Sequence, residues 1–168
     1  MKVFVTIDTT DLSNFNQMLE WKDQDGNNLQ LVNGLSVLKR LDKEDDEVLK
    51  EELHKLMDDC DVVAVVIDKA TKSFKKFTRW QMEYAAASHI PTIALNVNGI
   101  RSVDYDRCTA FMKKTLSLHL AFQEKIFAYA LANWPEEYSK KALAEEKKTY
   151  RYSNDLYASL GLQTADFA

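Results

Sequence analysis

The chain reads as an α/β domain whose parallel sheet carries helices on both faces, and three observations predict it. The first is the apolar, β-branched-rich run Asp61-Val62-Val63-Ala64-Val65-Val66-Ile67-Asp68. It is far too short to span a membrane and reads as a strand buried on both faces, as in the middle of a parallel sheet. The second is the succession of segments after that run: a polar loop over 69–76, a helical stretch from Phe77 to His89, and a further apolar strand from Thr92 to Val97. Strand, loop, helix and strand in that length make one βαβ unit with a right-handed crossover. The third is that strand-like and helix-like segments alternate along the rest of the chain, which at 168 residues is long enough for one well-cored domain.

Composition narrows the function classes. A hydrophobic fraction of 46% with 29% charged residues excludes a disordered chain, and no run suggests a membrane span. The formal net charge of −4 and the lack of a basic stripe with interleaved aromatics argue against a nucleic-acid surface. The nearest approach to a positive patch is Lys72, Lys75, Lys76 and Arg79, which is either solvated surface or an attractor for a phosphate-bearing ligand. Two cysteines, Cys60 and Cys108, lack both disulfide-framework number and zinc spacing, and read as buried apolar groups in a reducing compartment. With Lys2-Val3-Phe4 leading straight into a strand, a cytoplasmic location is expected. The four glycines, at 26, 34, 99 and 161, cannot supply a P-loop or a dinucleotide fingerprint.

Taken in order, Lys2 to Asp8 is the first strand, and its carboxyl end delivers Asp8, Thr9, Thr10 and Asp11 into a turn. Leu12 to Trp21 carries apolar residues at helical spacing, with Asp11 or Ser13 as cap. Asp23 to Asn28 is a turn, Leu29 to Asn33 a short second strand, and the stretch to Lys43 a loop with a helical turn at most. Asp42 to Asp59 is a helix with acidic residues crowding its first turn and Val48, Leu49, Leu53, Leu56 and Met57 on one face. His54 falls among charged neighbours and reads as a surface histidine. After the central unit, Val103 to Thr115 reads as a helix and Leu116 to Phe122 as a fifth strand, whose His119 reads as a satisfied core residue. From Gln123 the chain is helical with an apolar stripe, Ile126, Phe127, Ala130, Leu131, Trp134 and Tyr138, broken at Pro135. Lys140 to Lys148 reads as a solvated helix, and Tyr150 to Ala168 as an apolar tail for docking on the domain or a second subunit. The prediction is a core over 1–122 and a C-terminal extension over 123–168, one domain overall, with a flavodoxin-like five-stranded order 2-1-3-4-5. Any ligand then belongs beyond the carboxyl ends of the strands, near loop 68–76.

The central stretch resembles a family. Asp68-x-x-Thr71-x-Ser73 after the strand, then Phe77-Thr78-Arg79-Trp80-Gln81-Met82 and Pro91-Thr92-Ile93-Ala94-Leu95, is similar to prokaryotic Toll/interleukin-1 receptor (TIR)-like domains, especially the short proteins of Thoeris anti-phage defence. The resemblance covers about residues 2–100 and includes the strand start Val3-Phe4-Val5. It implies a cytoplasmic signalling protein that takes NAD as substrate or ligand, with no other cofactor and no metal, and makes an ADP-ribose-type nucleotide signal. An effector protein reached through that signal is implied as well, while the long C-terminal helical region and aromatic tail point to self-association.

In that family a helix glutamate carries the cleavage of the nicotinamide–ribose bond. Laid on without gaps, Gln81 occupies its position, and a neutral amide cannot supply the charge that a carboxylate offers a developing oxocarbenium ion. Glu83 is the nearest carboxylate, but two residues along a helix turn a side chain by about 200°, to the opposite face. The candidate catalytic residues are therefore Gln81 and Glu83, and the candidate substrate-binding residues Asp8, Thr9, Asp68, Thr71, Ser73 and Trp80. Thr71 and Ser73 serve either as loop caps or as ligand contacts, Trp80 either as core or as a platform, and Asp8 and Asp68 stand at two neighbouring strand ends where paired carboxylates would shift one another's pKa. Three functions compete: an NAD-cleaving TIR-like enzyme, a catalytically silent TIR-like module that binds a nucleotide or protein partner and acts by assembly, and a nucleoside deoxyribosyltransferase-like enzyme whose usual motifs are not visible here.

Overall fold

Alternate residues of the central strand feed two different cores. In the computed structural model, which describes residues 1–7, 12–24, 29–71 and 76–162, β3 (Val62–Ile67) sends Val62 and Ala64 into one core and Val63, Val65 and Ile67 into the other. Each Val or Ile burial is worth about 1.5–3 kcal/mol, which is why an apolar run with no polar alternation folds as an interior strand. Its neighbours are β1 (Lys2–Val5) on one side and β4 (Thr92–Asn96) on the other, both parallel to it. β2 (Gln30–Val32) adds beyond β1, and β5 (Ser117–Ala121) beyond β4. All five predicted strands are present, in the predicted order.

Two helical layers cover the sheet. On one face lie α1 (Ser13–Gln24) and α5 (Glu124–Leu143), with Met18, Ile126, Phe127, Ala130 and Trp134 packed on β1, β3, β4 and β5. On the other lie α2 (Leu35–Leu38), α3 (Asp46–Asp58) and α4 (Lys76–Ala87), contributing Val37, Leu49, Leu53, Met57, Phe77 and Met82. α3 begins later than Asp42 because Asp45 is its cap, its carboxylate accepting from the Glu47 amide at 2.9 Å. Gly34 sits where the α2 and α4 layers meet, and a Cβ there would stand 2.8 Å from Phe77 Cζ and 3.0 Å from Leu53 Cδ1.

Four expectations are corrected. The sheet has a sixth strand, β6 (Thr149–Arg151), parallel to β5, where the sequence suggested only a tail. It leads into α6 (Asn154–Ser159), whose Tyr157 is fully buried and accepts from the Ala121 amide at 3.1 Å. Residues 103–115 form no α-helix but turns and one 3-10 turn, Met112–Lys114. Side chains fasten this segment as turns: Asn96 donates to the Ile100 and Ser102 carbonyls just before it, and Asp104 Oδ1 accepts from the amides of Asp106 and Arg107. The third correction concerns Pro135, which lies inside an unbroken α5. The apolar stripe keeps its period across the proline, and Trp134 anchors it by donating to the Thr92 carbonyl at 3.0 Å, so packing offsets the lost backbone bond. Finally, helical structure stops at Leu143 rather than running through Lys148, because Glu145 turns left-handed with φ 54°.

Candidate functional site

Sequence order and sheet order part company at β1. The chain leaves β1 to form β2 on one flank and returns to form β3 on the other, so a crevice opens between the carboxyl ends of β1 and β3. A cleft stands there, lined by Thr6 and Ile7 just after β1, Asn14 and Phe15 from the first turn of α1, Asp68 and Thr71 after β3, and Thr78 of α4. Its interior among the described residues is about 30 Å³, room for a hydroxyl group or a water but not for a whole nucleotide.

The loop after β3 is built by its own side chains. Asp68 Oδ1 accepts from the amides of Ala70 at 2.7 Å and Thr71 at 3.1 Å, and the Asp68 amide donates to Thr71 Oγ1 at 2.9 Å. The Thr71 hydroxyl in turn lies 3.3 Å from the Val66 carbonyl and 3.2 Å from Asp68 Oδ1. Thr71 is therefore a loop cap, and Asp68 Oδ2 is left with no partner among the described residues. The same cleft is lined by Thr78, 4% exposed, whose Oγ1 also finds no partner among the described residues. A half-used carboxylate and an unspent buried hydroxyl in one crevice form a polar pair suited to the hydroxyls of a ligand.

Gln81 is a side chain of α4 that points into the packing. It is fully buried, and its Nε2 donates to the Ile7 carbonyl at 3.0 Å and to the Phe77 carbonyl at 3.1 Å. Its Oε1 accepts from the Ile7 amide at 3.4 Å. The amide thus ties α4 to the end of β1 just below the cleft, and both of its functions are spent on backbone. Glu83 stands on the exposed side of α4 in an ion pair with Arg79 at 2.7 Å. Trp80, 8% exposed, packs edge-on to Phe77, with Lys50 Nζ and Lys76 Nζ each 5.1 Å from its ring centroid. Those residues border a groove between α3 and α4, where His54 stacks on Tyr84 at 3.7 Å and the Tyr84 hydroxyl bonds Asp58.

Of the residues expected from sequence, the fold therefore brings Asp68 and Thr71 together in the cleft, holds Gln81 beneath it, and carries Trp80 and Glu83 away to another face. Asp8, Thr9 and Ser73 lie outside the described residues, and with Asp8 the expected Asp8–Asp68 pair. Thr6, Asn14 and Thr78 were missed. The switch-point rule would have found them had it been applied to the first turns of the helices as well as to the strand ends.

Elsewhere, burial pushes the His119 imidazole down to about 4 and both thiols, Cys60 and Cys108, up to about 11. Among the described residues no three His, Cys, Asp or Glu side chains gather as a metal would need, and no helix is long and apolar enough to cross a membrane. No protein-family model matches the chain, and no curated protein matches it.

Proposed function

We propose that this chain is a TIR-like module that binds a ribose-bearing nucleotide, NAD or ADP-ribose, at the β1/β3 cleft without cleaving it, and signals by assembly. The observation that carries this reading is the engagement of Gln81. The side chain at the family's catalytic position is a neutral amide locked to Ile7 and Phe77, while Glu83 is on another face. Asp68 Oδ2 would accept from ribose hydroxyls, as a strand-end carboxylate does in other open α/β folds, with the Thr78 hydroxyl lining the same cleft. The first turns of α1 and α4 stand at the same edge of the sheet, where helix N-termini favour phosphate. Self-association, and an effector reached through the bound nucleotide, complete the reading.

The test is titration calorimetry with NAD and ADP-ribose, run beside mass detection of free nicotinamide. Saturable binding without nicotinamide release, weakened about tenfold by Asp68→Asn, is the expected result. Nicotinamide release by the wild-type chain would establish an enzyme instead, and absence of binding by either nucleotide would remove the proposal.

A further inference from the structure

A second concavity lies at the opposite edge of the sheet, where β4, β5 and β6 begin. It encloses about 600 Å³, within the range of small-molecule sites. Its floor is apolar: Leu116 at the entry to β5, Tyr138 and Ala142 from α5, and Phe111 from the turn before. The Tyr138 ring is buried, 3% of the residue being exposed, and its hydroxyl opens to the pocket without bonding a protein atom among the described residues. A phenol with its ring packed and its hydroxyl unspent is free to donate to a ligand in the pocket. Burial alone also raises its pKa, so it stays protonated and able to donate.

The rim is charged, and its charges do not cancel. Glu146 is occupied by Lys148 at 3.3 Å and by the Tyr150 hydroxyl. Lys114 and Lys147 line the same pocket and form no ion pair among the described residues, which leaves them against the single carboxylate of Glu145. Two helices also end on this rim with residues other than glycine in the left-handed region, His89 at φ 52° and Glu145 at φ 54°. Both close Schellman-type ends, the Ile90 amide reaching the Ala85 carbonyl and the Glu146 amide the Lys141 carbonyl. By contrast the end of α6 uses Gly161.

We propose that this pocket is a binding site for a flat apolar acid, an aromatic carboxylate. Its ring would lie on Phe111, Leu116 and Ala142, and its carboxylate would meet the Tyr138 hydroxyl and the ammonium groups of Lys114 and Lys147. The site is independent of the β1/β3 cleft and of any nucleotide reading.

The probe is naphthalene-2-carboxylate, titrated into the isotope-labelled full chain and followed by amide chemical shifts, with naphthalene-2-carboxamide as the neutral control. Saturable shifts are expected around residues 111–116 and 138–147, with the carboxamide about tenfold weaker. Tyr138→Phe removes only an unspent hydroxyl, so its melting temperature should hold while binding weakens about fivefold. Lys114→Glu and Lys147→Glu should each weaken it further. Glu145→Gly should raise the melting temperature, by relieving the left-handed backbone, and tighten carboxylate binding by removing a like charge. Binding too weak to saturate near about 1 mM, shifts centred elsewhere, equal affinity for the carboxamide, or indifference to Tyr138→Phe and both lysine changes would each overturn the proposal.

Discussion

Gln81 and Ile7 hold each other through both ends of one amide: the side-chain Nε2 donates to the Ile7 carbonyl at 3.0 Å, and Oε1 accepts from the Ile7 amide at 3.4 Å. Ile7 is the last described residue before the β1 end of the cleft, so this exchange fixes the strand end against α4. A position that suggests chemistry by its place in the sequence pattern is here a staple between two elements.

Replacing Gln81 by Glu should therefore cost stability and confer no NAD cleavage. A carboxylate cannot donate to the Ile7 and Phe77 carbonyls, and it would be buried without a counter-charge, so Gln81→Glu should lose about 3 kcal/mol or more at neutral pH. Burial raises the pKa of such a carboxyl, so the deficit should grow as pH rises from about 4 to 7. Urea unfolding at the two pH values checks both points. Gln81→Leu, which strands the same backbone groups without a charge, should be destabilised at both pH values alike.

His119 should make the fold acid-sensitive. It is fully buried in β5, with Nε2 3.3 Å from Ser117 Oγ and Nδ1 unpartnered among the described residues. Burial lowers its pKa from 6.5 to about 4, so the unfolded chain takes up its proton first. The contribution is fully present above pH 6.5 and is lost as pH falls through 4, reaching roughly 3 kcal/mol. Unfolding midpoints measured across that window should drop, and His119→Asn should flatten the drop. An unchanged slope in the variant would contradict the assignment.

Gly34→Ala should destabilise by about 1–3 kcal/mol through overpacking. The backbone is ordinary there, with φ −94°, so strain is not the cause. The added methyl meets Phe77 Cζ and Leu53 Cδ1 at 2.8 and 3.0 Å. Combining it with Phe77→Leu should then cost less than the sum of the two single changes, a comparison that thermal or urea unfolding supplies directly.

The two thiols should be inert in the native protein. Cys60 and Cys108 are buried, and desolvation pushes both up to about 11, which leaves little thiolate near neutrality. Labelling with a disulfide reagent should be slow in buffer and should reach two thiols per chain only in denaturant. Fast native labelling of either would show that its segment opens locally.

Legibility tracked the range of the physics involved. Val62 to Ile67 and Thr92 to Asn96 are strands in any context that buries both faces, and the acidic cluster before Val48 announces the start of α3. Residues 103–115 misled because the segment is fastened as turns by the side chains of Asn96 and Asp104, and nothing in the local periodicity reports that. Pro135 misled in the opposite direction, since the stripe running through Trp134 and Tyr138 outweighs one missing hydrogen bond. At the candidate site, Asp68 and Thr71 were legible because a strand end is a local feature, whereas Thr78 is polar only in relation to a crevice made by β1 and α1.

By itself the sequence determined the fold class and the five central strands with their order. These rest on hydrophobic periodicity and chain connectivity, which are written residue by residue. Tertiary structure alone decided that β6 completes the sheet, that the Gln81 amide is bonded to the Ile7 and Phe77 backbone, and that Glu83 and Trp80 line another groove. Each of those depends on which distant backbone a side chain meets after folding: Ile7 is 74 residues from Gln81, a separation that no local pattern spans.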